Sequence, residues 1–106
     1  MGFGFLESVY QRCLLIELEK AGVRVESEKA IAVMYEEHMV REFRADIVVE
    51  DTVIVELKSV ERIVQAHEVQ LVNYLVATGK PVGLILNFGQ GGVAVRRKVK
   101  DLQDKG

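Results

Sequence analysis

The chain has 106 residues, enough for one packed domain core and too few for two. Hydrophobic residues make up 49% and proline occurs once, which excludes a disordered chain, and no run approaches the ~20 continuous apolar residues of a membrane-spanning helix. Lys plus Arg number 14 against 16 Asp plus Glu, a formal net charge of -2, which argues against a general nucleic-acid coat protein and leaves room for a local basic groove.

From Phe5 to Ala21, residues Leu6, Val9, Tyr10, Cys13, Leu14 and Leu18 recur at three- and four-residue intervals and Gly22 follows as a stop, which predicts an amphipathic helix. The stretch from Met1 to Gly4 offers no capping side chain, so the helix is expected either to fray there or to lack a segment that packs before it. Cys13 cannot form an internal disulfide and reads as a buried small hydrophobe. Together with the absence of a basic export signal, it suggests a reduced, cytoplasmic setting.

Residues Val23 to Tyr35 alternate in polarity and are rich in β-branched side chains, as a half-buried strand requires. After the polar break Glu36-Glu37-His38, a second strand is expected from Met39 to Val49 and a third from Thr52 to Lys58, joined by the turn Glu50-Asp51. Ile63 to Thr78 is apolar on nearly all sides at helical spacing and stops at Gly79-Lys80-Pro81, which predicts a helix buried on more than one face. The apolar run Val82 to Phe88 suits a strand covered on both faces and, after a helical crossover, parallel to the third strand. Gly89-Gln90-Gly91-Gly92 opens no helix and reads as a flexible turn. The cluster Arg96-Arg97-Lys98-Val99-Lys100 reads as either a solvated tail or a phosphate contact. The expected fold is α/β with a mixed sheet: an αβββαβ core in which a three-stranded antiparallel meander and one parallel strand are flanked by two helices.

Within the third strand, alternation puts Glu56 and Lys58 on the same face as Ile54. On the second strand the same parity groups Arg44, Asp46 and Val48. If the hairpin is centred on Asp51, Asp46 faces Glu56 and Arg44 faces Lys58. Two carboxylates about 5 Å apart across a ladder repel unless a cation sits between them, and Mg²⁺ takes such hard oxygen ligands together with water and phosphate oxygens. Lys58, one strand repeat away, is placed to orient a water or to face a phosphate under attack. The alternative is a plain surface ion pair between Glu56 and Lys58. In the second helix, Ile63, His67, Gln70 and Tyr74 form one arc with a polar stripe, and no second His or Cys accompanies His67 at a zinc spacing. Glu7 and Tyr10 are neighbours one turn apart on the first helix.

The stretch Gly4-Phe5-Leu6-Glu7-Ser8-Val9-Tyr10 has a Gly-x-x-Glu-x-x-Tyr pattern, and the blocks RADIVVE, VIVELKSV, QLVNYL and GLILNFG follow in order. In these blocks the chain resembles the GxxExxY proteins, a family placed in the PD-(D/E)XK nuclease superfamily of restriction-endonuclease-like fold. The resemblance implies that Asp46 is the metal-binding aspartate, Glu56 the second acidic ligand and Lys58 the catalytic lysine. It further implies that Glu7 is an additional carboxylate, that Gln70 and Tyr74 form the Gln-x-x-x-Tyr motif bordering the site, and that Tyr10 supports it. Ala45 stands where the superfamily name expects proline. The implied activity is a Mg²⁺- or Mn²⁺-dependent nuclease acting on DNA more readily than RNA. From the chain's size and modest positive charge, a homodimer or a protein partner is a further expectation for holding a duplex. The competing function is a non-catalytic module that keeps the nuclease fold to bind nucleic acid or a protein.

Overall fold

The computed structural model describes residues 3–89 and 92–100. In chain order it contains α1 (Phe3–Lys20), β1 (Val25–Tyr35), β2 (His38–Val49), β3 (Val53–Lys58), α2 (Gln65–Thr78), β4 (Val82–Gly89) and β5 (Gly92–Val99). The five strands form one sheet in the order β1-β2-β3-β4-β5, antiparallel except for the parallel β3–β4 pair. This is the expected mixed α/β arrangement with one strand more than the sequence suggested. Residues 1 and 2, on which the expectation of a fraying or incomplete helix start partly rests, lie outside the described residues, as do 90 and 91 of the glycine-rich turn.

Each helix covers one face of the sheet. Leu14 and Leu15 of α1 pack against Ile47, Val55 and Leu57, with Leu84, Leu86 and Phe88 of β4 beside them. Leu71 and Leu75 of α2 pack against Phe43, Ala45, Val48, Ile54 and Ile85 on the opposite face. β4 is therefore covered on both sides, as its continuous apolar run implied.

Two expectations about the helices are corrected. The face of α1 that packs is centred on Leu14, Leu15 and Leu18, whereas Cys13, Val9 and Tyr10 are exposed, so Cys13 is not a core residue. The cause is a small rotation: Leu15 and Leu18 are one turn apart, and facing them inward turns Cys13 out. α2 is buried along one stripe, Leu71 and Leu75, while Val69 and Val76 are at least half exposed. Among the described residues no further element covers the outer side of the helix, where Val69 and Val76 are exposed.

The turns fall where polar or glycine residues were expected. Gly22 and Gly79 follow the two helices with φ of 82° and 78°, a left-handed conformation that costs glycine little. The β1–β2 and β2–β3 turns use Glu36-Glu37 and Glu50-Asp51, all four at positive φ, without glycine. Lys80 Nζ binds Asp51 Oδ1 at 2.8 Å and the Asp51 carbonyl at 3.0 Å, tying the second of these turns to the α2–β4 connection.

The final basic cluster is not a tail. Arg96, Arg97 and Lys98 lie within β5, where Arg96 pairs with Ile85 and Lys98 with Gly83 across the ladder. Arg96 and Lys98 both reach Glu68 of α2, at 3.5 and 2.6 Å, and the Lys98 hydrogen bond holds that carboxyl below its ordinary range.

Candidate active site

The β2–β3 ladder is short. Pairing runs Val49↔Val53, Val48↔Ile54 and Ile47↔Val55 in the expected register and then stops, although β3 continues to Lys58 alongside β4. Past that point two carboxylates replace the ladder. Asp46 Oδ2 accepts the Leu57 N–H at 2.8 Å, and the Glu56 carboxylate accepts the Asp46 N–H. Each acid is thus anchored by the backbone of the opposite strand. Anchoring of this kind fixes a side chain more firmly than a solvent-exposed ion pair does.

The strict alternation assumed for β2 fails at Asp46. Phe43, Ala45 and Val48 lie under α2, whereas Ile47 lies under α1, so the strand changes face between Ala45 and Ile47. The expected grouping of Arg44, Asp46 and Val48 on one face is therefore wrong, and Arg44 does not pair with Lys58. The neighbouring strand shares the irregularity: Glu28 of β1 has φ 52° and is skipped in the β1–β2 pairing opposite Asp46. Gln11 of α1 donates to the Asp46 carbonyl at 3.1 Å and to Glu28 Oε2 at 3.2 Å. Arg44 donates to the Glu28 carbonyl at 2.9 Å. These three side chains hold the distortion that re-aims Asp46.

Charge is concentrated here. Burial pushes the Glu56 carboxyl up to about 8, with the nearby Asp46 charge adding to it and Lys58 opposing it. Burial also raises Asp46, against the Leu57 hydrogen bond. Glu7 of α1 is raised by burial and by Asp46, while Lys58 and the Ser59 N–H pull it down. The Asp46 charge therefore raises both Glu56 and Glu7, Glu28 adds to the effect on Asp46 and Glu56, and the ammonium of Lys58 opposes the shift of all three. Glu56 Oε2 is buried and has no hydrogen-bond partner in the protein. A buried carboxyl oxygen without a partner, among acids whose ionised forms the surroundings disfavour, fits a hard divalent cation. Among the described residues no group of three or more His, Cys, Asp or Glu side chains is placed to hold a metal ion together. The site offers Asp46 and Glu56 as a partial shell, the form in which Mg²⁺ keeps positions for water and phosphate oxygens.

On the α2 side, Glu56 and Lys58 line a small open cleft together with His67, Gln70, Leu71, Tyr74 and Ile85. Gln70 Nε2 donates to the Tyr74 hydroxyl at 3.1 Å, which leaves the hydroxyl proton free to donate elsewhere. The Tyr74 ring stacks on Phe43 with centroids 3.7 Å apart. Glu56, Lys58, Gln70 and Tyr74 are thus brought together, with Asp46 and Glu7 reaching the same charges from β2 and α1. Tyr10 is not a cleft residue. It stacks on Phe88 with centroids 4.2 Å apart on the α1 side, bracing the helix turn that carries Glu7.

Residue-by-residue reading of the sequence missed the supports. Asn87 is buried and bonds Val60 twice, accepting its N–H and donating to its carbonyl, both at 2.9 Å. It clamps the backbone just beyond Lys58 and Ser59. A lone amide inside the apolar run VGLILNF, directly across from Lys58 in the β3–β4 pairing, was the signal for it. Gln11 lies four residues after Glu7, on the same helical arc, and was legible in the same way.

A family model described as the PD-(D/E)XK nuclease superfamily matches residues 1–100. Among solved structures, the chain is similar to the crystal structure of SSO0001, with a TM-score of 0.70, 16% identity, and coverage of 96% of this chain and 54% of that one. It is also similar to an alkaline exonuclease, LHK-Exo, from Laribacter hongkongensis, with a TM-score of 0.64, 13% identity, and coverage of 89% and 56%. The chain spans just over half the length of each. At these identities the likeness concerns the fold. No curated protein matches the sequence.

Proposed function

The chain belongs to the PD-(D/E)XK nuclease superfamily, and from that premise we propose that it is a divalent-metal-dependent nuclease that hydrolyses phosphodiester bonds in DNA rather than RNA. The observation that carries the reading is the pair of crossed carboxylates. Asp46 and Glu56 are held by opposite strands at the point where the ladder opens, and Glu56 Oε2 is buried without a partner. Asp46 and Glu56 would hold Mg²⁺ or Mn²⁺, with Glu7 as the additional carboxylate. When bound, the ion supplies charge neutralisation at the phosphate and a more acidic water.

The remaining work falls to this chain's own groups. Lys58 donates from its ammonium to the attacking water or to a phosphate oxygen, and the Asn87 clamp on Val60 keeps its strand end in place. Tyr74, fixed by Gln70 and Phe43, offers its hydroxyl proton to the cleft it lines. No described helix is long and apolar enough to cross a membrane. The reading places the protein in the cytoplasm, with nucleic acid as its partner and a second copy or another protein helping to hold a duplex.

The test is incubation of end-labelled single- and double-stranded DNA and RNA with the protein in Mg²⁺, Mn²⁺ or Ca²⁺. The expected result is cleavage of DNA in Mg²⁺ or Mn²⁺ that Asp46→Asn abolishes. Binding of DNA in Ca²⁺ with no cleavage in either active metal would instead identify a non-catalytic nucleic-acid module.

A further inference from the structure

His67 stands at the third position of α2 and lines the cleft beside Glu56, Lys58, Gln70 and Tyr74. Its ring is held from one side. The Val64 N–H donates to His67 Nδ1 at 3.1 Å, while the His67 N–H returns a bond to the Val64 carbonyl at 3.0 Å. A nitrogen that accepts a backbone N–H carries a lone pair and no proton, so this hydrogen-bond pattern assigns the ring proton to Nε2.

That assignment removes three roles and leaves one. With its lone pair used at Nδ1 and a proton at Nε2, the ring has no nitrogen free to ligate a metal or to accept a proton. Nor is it a proton donor in the sense of a general acid, since losing the Nε2 proton would leave an anionic ring. What remains is an uncharged N–H whose geometry is fixed by the helix start, in a cleft that Glu56 and Lys58 also line. Such a donor suits an oxygen of an anionic ester.

We propose that His67 is a substrate-binding residue of this site, donating Nε2–H to a non-bridging oxygen of the phosphodiester that Lys58 faces. The inference rests on the nuclease reading, and deepens it by adding an uncharged contact on the α2 side of the phosphate. It also gives the capping contact a second purpose: the bond that starts the helix sets which nitrogen meets the substrate.

Two substitutions separate the capping role from the binding role. Asn at this position keeps an acceptor near Nδ1 for the Val64 N–H but has no donor at the ε position. Gln carries an amide N–H out to about where Nε2 lies. Thermal midpoints of the metal-free protein, Mn²⁺ affinity, anisotropy binding of a short fluorescent DNA oligonucleotide in Ca²⁺, and kcat and KM in Mg²⁺ are measured for wild type, His67→Asn and His67→Gln. The expected result for His67→Asn is an unchanged midpoint and Mn²⁺ affinity, with oligonucleotide binding weaker by about tenfold or more and a matching rise in KM. His67→Gln is expected to recover most of that binding. Wild-type binding by His67→Asn, or equal losses in both variants, overturns the proposal and leaves His67 as a cap. A wild type that binds no oligonucleotide while taking up Mn²⁺ overturns the nuclease reading itself, and this proposal with it.

Discussion

The two acids at the centre of the site differ in how far their surroundings push them. Asp46 has a backbone N–H on one carboxylate oxygen, whereas Glu56 is more enclosed and leaves Oε2 unpaired. Glu56, Asp46 and Glu7 are all raised in the folded protein, Glu56 to about 8, so the fold favours their protonated forms. The stability this gives is fully present below the unfolded carboxylate range and is lost as pH rises through the folded values. Metal-free protein should therefore lose on the order of a few kcal/mol of stability between about pH 5 and pH 8. Glu56→Gln should flatten that slope and melt above wild type at the alkaline end; chemical denaturation across pH reads both. A slope unchanged by Glu56→Gln would show that its burial is not the cause. Lys58→Met keeps the aliphatic stem and removes the ammonium. Single-turnover cleavage should slow by about a hundredfold or more while Mn²⁺ affinity stays or improves, because a positive neighbour has been lost. A rate within a few-fold of wild type would remove Lys58 from the chemistry.

The elements show why some of this was legible in sequence and some was not. Periodicity located both helices and the first four strands because their apolar spacing matches the helix or strand repeat. Strand β5 escaped because three consecutive cations, Arg96-Arg97-Lys98, mask its alternation. Its pairing with β4 and the bond of Lys98 to Glu68 are tertiary facts. The register of the pairs from Val49–Val53 to Ile47–Val55 followed from the turn, but the end of the ladder before Asp46 and the face change there did not: they depend on Glu28 at positive φ and on Gln11 reaching across from α1. Packing of α2 is tighter than its sequence indicates. A Cβ at Gly83 would lie 2.8 Å from Leu71 Cδ1 and 2.9 Å from Cγ, and Leu71 is itself buried. Gly83→Ala should destabilise the protein by about 1–3 kcal/mol, and the thermal midpoint should fall by several degrees. Cleavage should fall as well, since α2 must shift and it carries His67, Gln70 and Tyr74. An unchanged midpoint would mean that Leu71 yields without cost.

Taken together, the five strands and two helices serve to open one ladder at one place. The sheet is covered on both faces by helices, and the site sits where β2 leaves β3, reached by α1 through Glu7 and by α2 through His67, Gln70 and Tyr74. Asp46, Glu56 and Lys58 were visible in the sequence as charges in apolar strands. Asn87 and Gln11 were visible only as isolated amides whose partners the fold supplies. The placement raises the carboxyl groups of Glu7, Asp46 and Glu56, and a bound cation would favour their ionised forms. Calorimetric titration of Mn²⁺ into wild type, Asp46→Asn and Glu56→Gln tests this most directly. The prediction is uptake at or below about millimolar metal by wild type, weakened at least tenfold in both variants, with metal raising the melting temperature of wild type more than of either. Wild-type protein that takes up no Mn²⁺ at that concentration, or variants that bind it equally well, would contradict a metal site at Asp46 and Glu56.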